Sequence, residues 1–151
     1  FAFGAPADES ESINRSGLTE ANQFAGPDGL FFDPRGVMWI QTDNGGNTVA
    51  EATNDQLLAV VPAGLGGDRT LNAENQASLK RLFVGPGRCE VTGIVLSPDA
   101  RTLFINIQHP GQSFGSRPSH SFPAKGNGDP SNLPRSTTLA IRRKDDGEIA
   151  L

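Results

Sequence analysis

The segment Gly87–Thr92 places a guanidinium and a carboxylate two residues apart, Arg88 and Glu90, directly ahead of an apolar run. Burying such charges beside a strand is costly unless each finds a partner. A carboxylate there suits a hard cation such as Ca²⁺, and a guanidinium fork suits a bidentate oxyanion such as phosphate. Other groups that carry chemistry are scattered: Asp28 in Pro-Asp-Gly, Asp43 in Asp-Asn-Gly, Asn54, Asp55 and His109. Asp28 reads equally as a turn residue, and Asp43 equally as an Asx turn. His109, ahead of Pro110, reads as a hydrogen-bonded structural group. Asp33, Asp99 and the pair Asp145–Asp146 read as turn formers. Cys89 is the single cysteine; with no base in view it reads as a small buried residue and not a nucleophile.

What must position these groups is a doubled strand pattern. GLFFDPRGVMWIQT (29–42) and GIVLSPDARTLFINIQ (93–108) each run Gly, apolar stretch, Pro-containing turn, second stretch ending in Gln. Their glycines lie 64 residues apart, longer than the usual ~40–50-residue propeller blade, so a long loop is expected at 63–79. Strands are expected at 30–32, 37–42, 56–61 and 80–84, then 91–96, 102–107 and 136–142, with an eighth starting at Glu148. The predicted class is all-β, a partial β-propeller of about two four-stranded antiparallel blades. Residues 1–24 read as an irregular connecting segment with one helical turn near 19–23. Residues 25–151 read as blades, 25–87 the first and 88–151 the second and incomplete. Closed propellers use at least four blades, so exposed faces and edges are expected to meet missing blades of the same protein or to drive self-association. The stretch 110–134 reads as surface loop. Up-and-down geometry sends Asp28, Asp43, Asn54, Asp55, Arg88, Glu90 and His109 to one rim, and Asp33, Arg35 and Asp99 to the other. Trp39 and the phenylalanines are expected between blades.

Composition narrows the partners. Eighteen Gly and eleven Pro against 36% hydrophobic residues suit short strands and many turns. A net charge of −4 gives no basic footprint for nucleic acid. No apolar run reaches the ~18–20 residues of a transmembrane helix. The chain begins at Phe1 with no signal peptide, and reads as a processed product or a fragment.

The strings PDGLFFDPRGVMWIQTD (27–43), NDQLLAV (54–60), GRCEVTGIVLSPDARTLFINIQHPG (87–111) and PRSTTLAIRR (134–143) resemble the carboxy-terminal part of the PhoX-type alkaline phosphatases, a bacterial secreted family. The pairing of CEVTGI with NIQHPG carries most of the specificity. The resemblance implies a six-bladed propeller whose earlier blades are not in this chain, and hydrolysis of phosphate monoesters at a central cluster of Ca²⁺ and Fe³⁺. It implies export by the twin-arginine route, to the periplasm or the outside. By the matching motif Glu90 binds metal and Arg88 binds the phosphoryl oxygens; Asp43 and Asp28 are assigned calcium-binding or supporting roles, and His109 a structural one. The resemblance implies that most of the metal ligands, an iron-bound cysteine among them, come from the amino-terminal portion, so Cys89 receives no iron role. The expected function is the carboxy-terminal part of a secreted alkaline phosphatase, inactive as an isolated piece. Two alternatives stay open: a calcium-dependent lactonase or esterase propeller, which does not call for an arginine beside the carboxylate, and a non-catalytic binding module.

Overall fold

Alternation along two strands decides how this chain is layered. A computed structural model describes residues 1–44, 49, 52–112, 120–124 and 133–150. Seven strands form: β1 (Pro27–Phe32), β2 (Met38–Thr42), β3 (Gln56–Val60), β4 (Lys80–Val84), β5 (Glu90–Leu96), β6 (Leu103–Gln108) and β7 (Thr137–Ile141). They make two antiparallel meanders, β1-β2-β3-β4 and β5-β6-β7, the all-β part-propeller arrangement expected from the doubled pattern. β1 starts three residues earlier than expected, at Pro27.

Every residue of β2 and β3 is buried, and successive side chains point to opposite sides of the sheet. Trp39, Leu57 and Ala59, with Val37, therefore face the second meander, where they meet Cys89, Val91, Leu103, Ile105 and Ile107. Met38, Ile40, Leu58 and Val60 face the other way and pack with Leu18, Phe24, Leu65, Leu71 and Leu79. Segment 1–24 has no strand or helix of its own, but it does more than connect: with the loop after β3 it covers one face of the first sheet. Arg81 pins it there, donating to Gln56 Oε1 at 2.6 Å and to the carbonyls of Glu20 at 3.0 Å and Gln23 at 3.1 Å. The helical turn near 19–23 is present as bonds from the amides of Asn22 and Gln23 to the Thr19 carbonyl. The long loop holds two short 3₁₀ turns, Pro62–Leu65 and Gln76–Ser78.

The second meander is covered on one side. Leu103, Ile105 and Ile107 are buried, whereas Phe104 between them and Val95 on β5 are exposed. No strand pairs with the outer edge of β7 among the described residues. The eighth strand expected from Glu148 does not form. Instead the Ile149 amide donates to the Ala100 carbonyl at 2.9 Å and its side chain enters the inter-sheet core, a burial that pairing along an open edge would forfeit. Trp39 fills the inter-sheet core as expected, but Phe32 and Phe104 face outward and Phe24 belongs to the other core. Gly45 and Gly46, and most of 110–134, lie outside the described residues. No helix among the described residues is long and apolar enough to cross a membrane.

Asp33 forms its turn, with Gly36 N donating to Asp33 O at 2.9 Å and Gly36 at φ +81°, a conformation glycine adopts without strain. It also does something the sequence reading did not foresee. Its carboxylate is wholly shielded from solvent. Oδ1 accepts from the amides of Arg35 at 2.9 Å and Val37 at 3.1 Å. Oδ2 accepts from Arg35 at 2.7 Å and from Trp39 Nε1 at 3.2 Å. Burial alone would raise the Asp33 pKa, but these donors outweigh it and hold the carboxyl below its ordinary value. Arg35 reaches on to Glu148 at 3.2 Å, tying the first turn to the terminal segment.

Asp33→Asn keeps the shape but removes the ionised acceptor. In the full-length protein it should cost about 2–4 kcal/mol at pH 7, read by denaturant unfolding. Because folding depresses this pKa, its contribution is complete above the unfolded value of about 3.9 and is lost as pH falls below it. The gap between wild type and variant should therefore be flat from about pH 5 to 8 and narrow below about pH 4. A gap that keeps its size below that point would show that the charge is not what stabilises the turn.

Candidate functional site

Antiparallel pairing brings the start of β1, the end of β2, the start of β3, the end of β4, the start of β5 and the end of β6 to one rim. Asp28 gets there through a β-bulge: Pro27 pairs with Thr42 and Gly29 with Gln41, leaving Asp28 unpaired between them. A bulge re-aims the extra side chain. Asp43 is held alongside by its amide, which donates to the Gly26 carbonyl at 2.9 Å. Gly26 sits at φ +52°, and a Cβ there would overlap the Asp43 carbonyl. Only glycine allows the two chains to approach so closely.

Glu90 opens β5 opposite Gln108 of β6. Its side chain is mostly buried, and its Oε2 lies 3.5 Å from His109 Nε2. Burial raises its pKa, and so do the charges of Asp43 and Asp28 and a hydrogen bond with Asp28, with His109 partly opposing them. Three carboxyls far apart in sequence thus act on one another at this rim.

Asp55 supports the arrangement from beneath. It is buried, and Oδ1 accepts from Thr42 Oγ1 at 2.7 Å and from the Asn44 amide at 2.6 Å. Its own carbonyl accepts from Gly85 N at 2.7 Å, so one residue fixes both the loop leaving β2 and the loop leaving β4. Burial lifts the Asp55 pKa; the bonds from Thr42 and Asn44 oppose the rise. Asn54 Nδ2 donates to the Gly85 carbonyl at 3.2 Å, a structural part in the same corner.

Arg88 follows this loop. It is exposed and adopts the left-handed conformation, φ +55°. Among the described residues it forms no ion pair, with Glu90 or with any other carboxylate. Cys89 beside it is buried, its thiol pushed up to about 12 by burial and then by the Asp55 charge. A thiol of that pKa is no thiolate at neutral pH.

Among the described residues no three His, Cys, Asp or Glu side chains form a group that would hold a metal ion. The donor chemistry still fits a hard cation in part. Burial and the nearby charges of Asp43 and Asp28 raise the Glu90 pKa, a like-charge repulsion that a bound cation would relieve, and oxygen donors of this kind suit Ca²⁺. No iron-binding set is matched among the described residues, and the buried Cys89 thiol is no ligand in this state.

Sequence reasoning placed Asp28, Asp43, Asn54, Asp55, Arg88, Glu90 and His109 on one rim, and the register of the strands puts them there. It missed Gln41, buried with Nε2 unpartnered among the described residues, and the buried Nδ1 of His109, likewise unpartnered. Nothing in spacing marks either atom, because both become buried only as the strands pack. Asp33, Arg35 and Asp99 lie on the opposite rim. An apolar cleft lined by Val60, Leu82, Ile141 and Ile149 also opens away from the carboxylates, where β3 ends and β4 begins.

The family described as alkaline phosphatase PhoX matches residues 1–111. Among solved structures, Pseudomonas fluorescens PhoX in complex with vanadate, a transition state analogue, is similar at 36% identity and a TM-score of 0.71. That similarity covers 99% of this chain but 23% of the solved one. No curated protein matches. Matched over most of its length in sequence and nearly all of it in fold, the chain belongs to the PhoX alkaline phosphatase family.

Proposed function

We propose that this chain supplies one wall of a phosphomonoesterase active site, with Arg88 binding the phosphoryl oxygens and Glu90, Asp28 and Asp43 binding calcium. The observation that carries the reading is the separation of charge at the rim. Asp43 and Asp28 lie near enough to Glu90 to raise its pKa, while the adjacent guanidinium is exposed and forms no ion pair among the described residues. Crowded carboxylates favour a bound cation, and an unspent guanidinium favours an oxyanion.

In this reading Arg88 donates two N–H groups to the equatorial oxygens of the transferring phosphoryl group and strengthens its hold as negative charge builds there. Glu90, Asp28 and Asp43 contribute oxygens to a shell whose remaining ligands come from the rest of the protein. A bound cation neutralises phosphate charge and lowers the pKa of an attacking oxygen. Asp55 keeps the loops bearing Asp43 and Arg88 at fixed separation. Iron, on this view, is held by residues outside this chain. The solved relative's ligand, vanadate, is an oxyanion of the geometry Arg88 would grip.

The span of 23% of that relative leaves the piece with one wall of a site, so it should be inactive alone. Leu30, Phe32, Val95 and Phe104 would be covered by further blades of the same protein. Export to the periplasm or beyond belongs to the same proposal, on family resemblance. A calcium-bearing lactonase would use the carboxylates but give Arg88 no task.

Arg88→Ala in the full-length protein should lower kcat/KM on p-nitrophenyl phosphate by about 10²–10³-fold and abolish inhibition by vanadate, with no lactone hydrolysed by either form. Unchanged vanadate inhibition would remove Arg88 from the site. Glu90→Gln should reduce the calcium retained per chain, measured by elemental analysis, with activity falling in parallel. Full metal content in that variant would refute the ligand assignment.

A further inference from the structure

The backbone at Arg88 is held in place from an unexpected direction. A non-glycine residue in the left-handed region is strained, so φ +55° at Arg88 persists only if the surroundings impose it. The peptide joining Gly87 to Arg88 is a rigid plane, and whatever grips the Gly87 carbonyl therefore sets the orientation from which the Arg88 side chain departs. Two donors grip it: the Gly111 amide at 2.9 Å and His120 Nε2 at 3.0 Å. His120 belongs to the stretch between β6 and β7, 32 residues beyond Arg88 in sequence.

The ring's tautomer follows from its partners. A carbonyl only accepts, so Nε2 carries the hydrogen toward Gly87. The Phe122 amide donates to Nδ1 at 3.3 Å, so Nδ1 keeps its lone pair. Both nitrogens are committed to backbone, one to the arginine loop and one to the ring's own strap. Phe122, next along, packs against the inter-sheet core and anchors the strap that presents the histidine. Neither nitrogen is left to act as an acid or base.

We infer that His120 is a positioning residue for oxyanion binding: its Nε2–H, bonded to the Gly87 carbonyl, holds Arg88 at the angle from which the guanidinium meets the phosphoryl group. This rests on the role proposed for Arg88. It assigns a task in binding to a loop that composition alone marks as surface filler.

The test uses the full-length, metal-loaded protein, with inorganic phosphate as the competitive probe and p-nitrophenyl phosphate as substrate. His120→Ala should raise both the phosphate inhibition constant and KM about 5–20-fold, the effect of one lost hydrogen bond acting through position. The value of kcat should fall as well, because Arg88 holds the phosphoryl group more tightly as charge builds, and the calcium content should not change. His120→Gln, whose amide reaches the place of Nε2, should restore most of the affinity. Should the alanine variant fail to fold, His120→Phe keeps the ring's packing without the donor and carries the same expectation. Arg88→Ala serves as the control. If it weakens phosphate and the His120 variants do not, the inference fails and the reading of Arg88 stands. If Arg88→Ala leaves phosphate binding unchanged, the reading of Arg88 fails and the inference with it. Loss of calcium in His120→Ala, or no recovery in His120→Gln, would also overturn the assignment.

Discussion

The burial of β2 and β3, the inner strands of the first sheet, on both faces constrains the rest of the sheet. A strand shifted by one residue exchanges its two faces. In a half-exposed sheet that error trades apolar for polar on one side. Here both sides are occupied, by Trp39, Leu57 and Ala59 toward the second meander and by Met38, Ile40, Leu58 and Val60 toward the amino-terminal segment. The two environments differ in shape, one a flat sheet and the other an irregular strap, so a slip would set a tryptophan against the strap and strand a methionine between sheets. Truncating a side chain such as Trp39 in that position costs on the order of 3–5 kcal/mol. The register of β2 against β3 is therefore pinned, and with it the places where those two strands begin and end. Asp43 and Asp55 share a rim because hydrophobic residues several positions away admit one alignment, and Asp28 joins them through the pairing of β1 with β2.

The two rims use backbone differently. At the rim with the β1–β2 and β5–β6 turns, Asp33 and Ser97 close short hairpins, and their hydrogen bonds are spent locally on Gly36, Val37, Ala100 and Thr102. The other rim carries a bulge at Asp28, glycine at φ +52° beside Asp43, and the left-handed residues Arg88 and His109, where the turn rim has Ala100 at φ +56°. Strain of this kind survives only where neighbours over-determine it. Gly85 shows how tightly the corner is packed, since a Cβ there would overlap the Cys89 sulfur. The cysteine is a wedge in this corner, and its sulfur chemistry is suppressed by the same burial.

How much of this was legible follows from the range of the forces involved. The strands were readable because Pro-containing turns and apolar runs are local signals; β3 and β4 lie at or within one residue of where the pattern puts them. The shared rim was readable too, since it follows from antiparallel order alone. What escaped depends on contacts between residues distant in sequence. Asp33 has the signature of a turn former, and nothing near it announces that Trp39 and Arg35 close over its carboxylate. Segment 1–24 has no periodicity, yet Leu18 and Phe24 are apolar where an irregular strap needs them. Ile149 follows a turn signal that ordinarily starts a strand, but a buried place in the inter-sheet core outweighs an edge pairing. His120 sits in a Ser/Pro/Gly-rich stretch that offers no pattern at all.

One consequence of the left-handed turn at Arg88 concerns where charge is spent. In a regular strand, residues two apart project from the same face, and an arginine at 88 would lie over the carboxylate at 90. The pair would then neutralise itself, leaving neither group for a ligand. With φ at +55° the arginine leaves the chain on a different course, and no carboxylate among the described residues engages it. Glu90 is left instead among Asp28, Asp43 and His109, where its pKa is raised by burial and by like charge. A fold selected for stability alone would let Arg88 relieve that repulsion, since a cation of the right sign is only two residues away. On the proposed reading, keeping the two apart leaves Arg88 for an anion and Glu90 for a cation, the division of labour that binding a phosphate together with a metal ion requires.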